Sequence, residues 1–207
     1  MCLHNIKNEI VNQFQQRTLK NRPYLIGIDG LSGAGKTSLV NKLESELKHL
    51  CKIVVIHIDD LIVERNHRYN TGYEEWYEYY YLQWDVELLT EVLFKGISNH
   101  TELTLPFYEK SIDKMIHKTI SLTPDSIILM EGVFLQRKEW KGFYDCTIFI
   151  DCPREIRYER VRKRDKYIGD THEILDKYKR RYWLGEDHYL KMENPIESAN
   201  KVYKIQP

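Results

Sequence analysis

Four stretches of this chain, 24–29, 53–58, 126–130 and 146–150, are apolar almost without interruption. Runs of that length and β-branched character suit strands of a parallel sheet covered on both faces. A fifth stretch, 201–205, alternates polar and apolar residues like an edge strand. Between these runs the apolar period changes to three and four. Leu39, Val40, Leu43 and Leu47 share one helical face. Val86, Leu89, Val92 and Leu93 share another over 85–95, with Gly96 as the expected stop. Ile174, Leu175, Tyr178, Tyr182 and Trp183 mark a long helix over 173–189, broken at Asn194-Pro195. A stripe of Leu3, Ile6, Ile10, Val11 and Phe14 predicts an N-terminal helix within 1–20, docked on the body. Segments 103–110 and 118–122 predict a small hairpin. The pattern as a whole is α/β: a three-layer αβα sandwich around a five-stranded parallel sheet, in one domain over 1–207.

Two stretches depart from this plain alternation. Residues 61–84 are dense in aromatic side chains, and Tyr73, Trp76, Tyr80 and Trp84 fall at helical spacing. Such a face serves equally as core or as the wall of a pocket for a ring-containing substrate, with Trp84 the candidate wall residue. In the arginine-rich region 154–170, Arg157, Arg160 and Arg164 lie three and four apart, so one helix presents three guanidinium groups. They form either a solvated face balanced by Glu155, Glu159 and Asp165 or a lid that clamps phosphate.

The most specific chemistry lies at Gly30-Leu31-Ser32-Gly33-Ala34-Gly35-Lys36-Thr37, which matches G-x-x-x-x-G-K-[ST] between a strand and a helix. Backbone N–H groups of Gly30, Ser32, Gly33, Ala34, Gly35, Lys36, Thr37 and Ser38 are the expected nucleotide contacts. Lys36 is the expected partner of the β- and γ-phosphates, and the Thr37 hydroxyl a ligand of Mg²⁺. Acids at the carboxyl ends of neighbouring strands fall where ligands collect in open parallel sheets. They are Asp59 and Asp60 after the second strand and Glu131 after the third, the last expected near magnesium. His57 sits among apolar neighbours and reads as a packed histidine.

Composition narrows the setting. Thirty-one basic and 31 acidic residues cancel, so no global charge asks for nucleic acid or a membrane surface. Cys2, Cys51, Cys146 and Cys152 form no C-x-x-C motif, which fits a reduced, cytoplasmic setting. The sequence leaves open a homo-oligomer.

The order of motifs is similar to that of uridine kinases and their relatives, phosphoribulokinase and bacterial pantothenate kinase. The resemblance rests on the phosphate loop, the Asp-ended second strand (His57-Ile58-Asp59-Asp60), Leu105-Pro106-Phe107-Tyr108, Leu129-Met130-Glu131-Gly132 and the arginine helix that follows Asp151. It implies a nucleoside-kinase-like P-loop fold with a helical lid, and ATP- and Mg²⁺-dependent phosphorylation of a hydroxyl. It further implies Asp59 as catalytic base, with Asp60 beside it, Glu131 in the metal and substrate region, Tyr108 against the substrate, and Arg157, Arg160 and Arg164 as lid arginines. Tyr81-Leu82-Gln83-Trp84 stands where uridine kinases carry Phe-Asp-His-Pro, so the transfer machinery is matched while nucleoside recognition is not. A rival reading, a nucleotide switch of the GTPase kind, needs an Asn-Lys-x-Asp reader late in the chain. The nearest match, Asn41-Lys42-Leu43-Glu44, lies in the helix after the loop.

Overall fold

The computed structural model describes residues 3–18 and 21–206. Its centre is a parallel sheet of five strands: β1 (Tyr24–Gly30), β2 (Ile53–His57), and, after a separate hairpin of β3 (Glu102–Glu109) and β4 (Lys114–Ser121), β5 (Ile127–Gly132), β6 (Cys146–Asp151) and β7 (Lys201–Lys204). The spatial order is β2-β5-β1-β6-β7, with β1 in the middle. Each apolar run divides its side chains between two cores, as expected of a sheet covered on both faces. Leu25, Ile128, Met130 and Phe149 point to one core, whereas Ile26, Ile28, Leu129, Ile148 and Ile150 point to the other.

The second core is closed by α1 (Leu3–Gln16) and α2 (Lys36–Leu47), whose Ile6, Ile10, Leu39, Val40, Leu43 and Leu47 are all buried. Of the helix expected within 1–20, residues 1, 2, 19 and 20 lie outside the described residues, as does Cys2. Cys51, Cys146 and Cys152 are free thiols. No helix among the described residues is long and apolar enough to cross a membrane.

The first core is closed by α3 (Glu75–Tyr81) and by α4, a continuous helix over 86–99. That helix corrects the expected stop at Gly96. The backbone there stays helical, and a Cβ would meet Leu103 Cδ2 at 2.7 Å, so this glycine permits the close approach of β3 instead of ending the turn. Residues Thr90–Lys95 within α4 are π-helical.

The long C-terminal helix, α6, follows α5 (Arg154–Arg164) and runs over 171–193, with a second π-helical stretch at Tyr178–Tyr182. It opens on a capping box, in which Asp170 accepts from the Glu173 N–H and Glu173 accepts from the Asp170 N–H. It closes at Asn194, whose φ of 46° is left-handed, immediately before Pro195.

Candidate active site

Register assembles the site. β2 and β5 pair so that His57 lies opposite Glu131, and β5 and β1 pair so that Glu131 lies opposite Ile28. Side chains in register on parallel strands share a face, so His57 and Glu131 meet at the carboxyl edge of the sheet. His57 Nδ1 lies 2.6 Å from Glu131 Oε1, and the Thr37 hydroxyl donates to the same oxygen at 3.0 Å. Burial raises the Glu131 carboxyl, but the bonds from His57 and Thr37 and the charge of Lys36 outweigh it and hold the group below its ordinary value. The bond to Glu131 in turn raises the His57 pKa against the effect of burial. His57 is therefore part of the polar site and not the packed histidine its neighbours in sequence suggested.

The glycine loop leaves β1 in a conformation that L-residues rarely adopt, with φ of 79° at Gly33 and 99° at Gly35. Lys36 then turns back into its own loop, and Nζ donates to Gly30 O at 2.8 Å and Leu31 O at 3.2 Å. The loop is braced from behind. Ser32 N–H donates to Glu186 Oε1 at 2.7 Å, and Arg157 holds the other carboxylate oxygen at 2.9 Å while donating to Ser32 O and Cys152 O at 3.0 Å. Both charged side chains are almost wholly buried.

This bracing corrects the expectation of three arginines on one open face. Arg157 lies beneath the loop, committed to Glu186 and to backbone carbonyls, so it is not free to clamp phosphate. Arg160 donates to Gly33 O and Ala34 O at 3.1 and 3.0 Å, on the loop itself. Of the three, only Arg164 lines the large cavity, and it forms a two-pronged pair with Asp165 at 2.6 and 3.1 Å.

That cavity, about 780 Å³, opens beside Ser32 and is bordered by Asp59 and Asp60, which lie in the short 3₁₀ turn Ile58–Leu61 after β2. Enclosure of the cleft raises the Asp59 carboxyl, the Lys36 charge lowers it, and the neighbouring Glu131 and Asp60 raise it further, leaving it above its ordinary value. Tyr108 also lines the cavity and donates its hydroxyl to Asp113 at 2.8 Å.

Trp84 does not line it. Helix α3 ends at Tyr81, so Trp84 is carried away from the helical face; it is 3% exposed, donates its indole N–H to Ile58 O at 2.8 Å and packs edge-on to Phe134 and Trp140. Tyr73 precedes the helix and is exposed, whereas Tyr79 lines the cavity and reaches Ser32 Oγ at 3.1 Å.

Sequence reasoning also passed over Asp29. It is fully buried, accepts from Gly30 N–H at 2.7 Å and from Gln136 at 3.1 Å, and takes the hydroxyl of Tyr189. Burial raises its carboxyl above the ordinary value against those bonds. The signal was an acid closing an otherwise apolar strand.

The residues that could hold Mg²⁺ are Thr37 and Glu131, oxygen donors drawn together at one point. No cluster of three or more His, Cys, Asp or Glu ligands occurs among the described residues. That sparse set fits a hard cation completed by water and nucleotide phosphate.

A family model described as the phosphoribulokinase / uridine kinase family matches residues 25–190, which span both the loop and the braces behind it. The chain belongs to this family. A protein of known structure described as a possible uridine kinase from Bacillus stearothermophilus is 40% identical, with a TM-score of 0.80 over 98% of this chain and 100% of that one. A uridine kinase of Macrococcus caseolyticus (strain JCSC5402) is 30% identical over 162 residues, covering 74% of this chain and 75% of the relative. Another, from Borrelia duttonii (strain Ly), is 29% identical over 189 residues, covering 86% and 84%. The chain has the α/β P-loop kinase fold of this family.

Proposed function

We propose that the protein transfers the γ-phosphoryl group of ATP to a hydroxyl of a small molecule. The observation that carries this reading is the sequence of groups along one cleft. Lys36 and the loop amides stand at the nucleotide end, Thr37 and Glu131 lie beside them, and Asp59 opens onto an adjoining cavity within electrostatic reach of Lys36. The kinship with uridine kinases supports the same chemistry.

In this reading Lys36 and the loop N–H groups, other than that of Ser32, which Glu186 already takes, hold the β- and γ-phosphates and offset charge as it develops on the transferring group. Thr37 and Glu131 would hold magnesium or its waters, and the ion would supply charge neutralisation for the phosphates. Asp59 accepts the proton of the acceptor hydroxyl and orients its oxygen, with Asp60 alongside. Arg160, on the loop carbonyls, and Arg164, paired with Asp165, are the remaining candidate lid cations. Arg157 acts through the loop it braces.

Incubating the protein with ATP, Mg²⁺ and a panel of nucleosides, sugars and vitamins, with detection of phosphorylated product, tests the reading. Lys36→Ala is expected to lower turnover by at least about 10²-fold. Asp59→Asn is expected to keep nucleotide binding and lower transfer by about 10²–10⁴-fold. Nucleotide binding with no product from any acceptor would leave a binding protein and overturn the assignment.

A further inference from the structure

We propose that the acceptor is an anion: a hydroxyl-bearing carboxylate or phosphate ester whose charged group lies between Arg68 and Lys177, with its hydroxyl at Asp59. This rests on the kinase reading above and names the substrate class of its acceptor cavity.

The argument is the charge distribution of the cavity wall. Five cations line it, Arg65, Arg68, Lys110, Arg164 and Lys177, against Asp59, Asp60 and Asp165. Arg164 and Asp165 cancel in their two-pronged pair, and Tyr178 donates to the same aspartate at 2.6 Å. The other four cations form no ion pair among the described residues. Asp113 offsets part of the charge of Arg65 and Arg68 electrostatically, but its oxygen accepts from the Arg65 backbone N–H and the Tyr108 hydroxyl, not from either guanidinium.

Arg68 is the unusual member. It is 5% exposed, so most of its hydration is lost, yet it lacks a carboxylate partner. Its Nε donates to Val63 O at 2.7 Å, and its guanidinium carbon lies 4.9 Å from the Tyr69 ring centre and 5.1 Å from that of Tyr108. The planar fork is thus fixed by a backbone bond and two rings while its terminal NH₂ groups remain available. Lys177 Nζ lies over the same Tyr69 ring at 5.5 Å. The third cation on that ring, Arg181, is already neutralised by Glu78 at 3.1 Å.

A buried, oriented guanidinium and a lysine that both approach one tyrosine ring on the cavity wall suit a planar carboxylate or a phosphate. A neutral acceptor would fill the cavity and leave the buried Arg68 without a counter-charge, which is costly. The two aspartates at the loop end repel an anion there. The cavity is therefore polar along its length and admits such an acceptor in one direction, hydroxyl first.

The test is calorimetric titration with matched pairs, ribose against ribose 5-phosphate and glycerol against glycerate, with uridine as a further neutral probe. Each is run on the protein alone and on protein saturated with a non-hydrolysable ATP analogue and Mg²⁺, which occupies the γ-phosphate position. The anionic member of at least one pair is expected to bind about tenfold or more tightly than its neutral partner in both states. Arg68→Gln and Lys177→Gln are each expected to erase that difference and leave any neutral binding unchanged. Lys177 is only partly buried, so its variant reads the pocket even if Arg68→Gln unfolds.

Equal or tighter binding of the neutral members, preferential binding of uridine, no binding of any probe, or an anion preference that survives Lys177→Gln and a folded Arg68→Gln would each overturn the inference. Failure of the analogue to bind would instead sink the kinase reading, while the titrations without nucleotide still decide the pocket.

Discussion

At the scale of single residues, the cleft is defined by carboxyl groups whose environments push them in opposite directions. Asp59 is raised by enclosure and Glu131 lowered by its partners, so the two respond differently to a falling pH. Asp59 can accept a proton only above its raised pKa. The acid limb of kcat/KM should therefore lie above the ordinary carboxylate value of 3.8, and Asp59→Asn should remove that limb; a limb unchanged in the variant would assign it elsewhere. The His57–Glu131 pair makes a prediction about stability. The folded-state pKa of His57 is raised, so its contribution is complete below 6.5 and is lost as pH rises through the folded value. That of Glu131 is lowered, so its contribution is complete above 4.5 and is lost as pH falls through the folded value. The pair thus stabilises most between those limits, and His57→Gln should lower stability there and flatten its fall above 6.5, as read by urea unfolding at successive pH values. Sequence alone identified the loop, Asp59, Asp60 and Glu131 because each closes a strand beside a motif of fixed spacing. It misread His57 because its bond to Glu131 spans 74 positions and depends on strand register. Trp84 was misread because helical spacing continued on paper past Tyr81, where the helix ends. Trp84→Ala should cost about 3–5 kcal/mol of stability in denaturant. The KM for the acceptor should not change.

Among elements, the arginine helix shows how far spacing carries an argument. The intervals between Arg157, Arg160 and Arg164 are helical in the structure, yet the three guanidiniums have different partners because different elements face them. Arg157 meets α6 at Glu186 and, through it, the Ser32 amide, so one ion pair joins α5, α6 and the glycine loop. Removing a single member strands a buried charge. Arg157→Met should cost about 3–5 kcal/mol, and Arg157→Met with Glu186→Leu should cost less than the sum of the two single changes. Denaturant unfolding of the three variants measures the coupling, and strict additivity would mean that the pair does not join these elements energetically. The five strands, the hairpin and the principal helices were legible because their apolar periods are local. The continuation of α4 past Gly96 was not, since it depends on Leu103 approaching from β3.

For the molecule as a whole, the loop is where separate parts of the chain depend on one another. Strand β1 enters it and α2 leaves it, while Glu186 and Arg157 brace it from α6 and α5. A ligand that binds these amides in the folded state alone should therefore stabilise all of these elements together. At about 1,000 times its dissociation constant, a nucleotide adds ~4 kcal/mol by mass action. For a chain of this length that corresponds to a rise in Tm of ~8–16 °C. Calorimetry with ATP and Mg²⁺ should show one cooperative transition moving upward, and the shift should be largely lost in Lys36→Ala. If a second transition instead stays at its original temperature, the sheet and the C-terminal helix unfold as separate units, and the Glu186 brace does not transmit nucleotide binding to them. A uniform shift would mean that the brace keeps the phosphate loop and the acceptor cavity in one cooperative body, with Ser32 common to both.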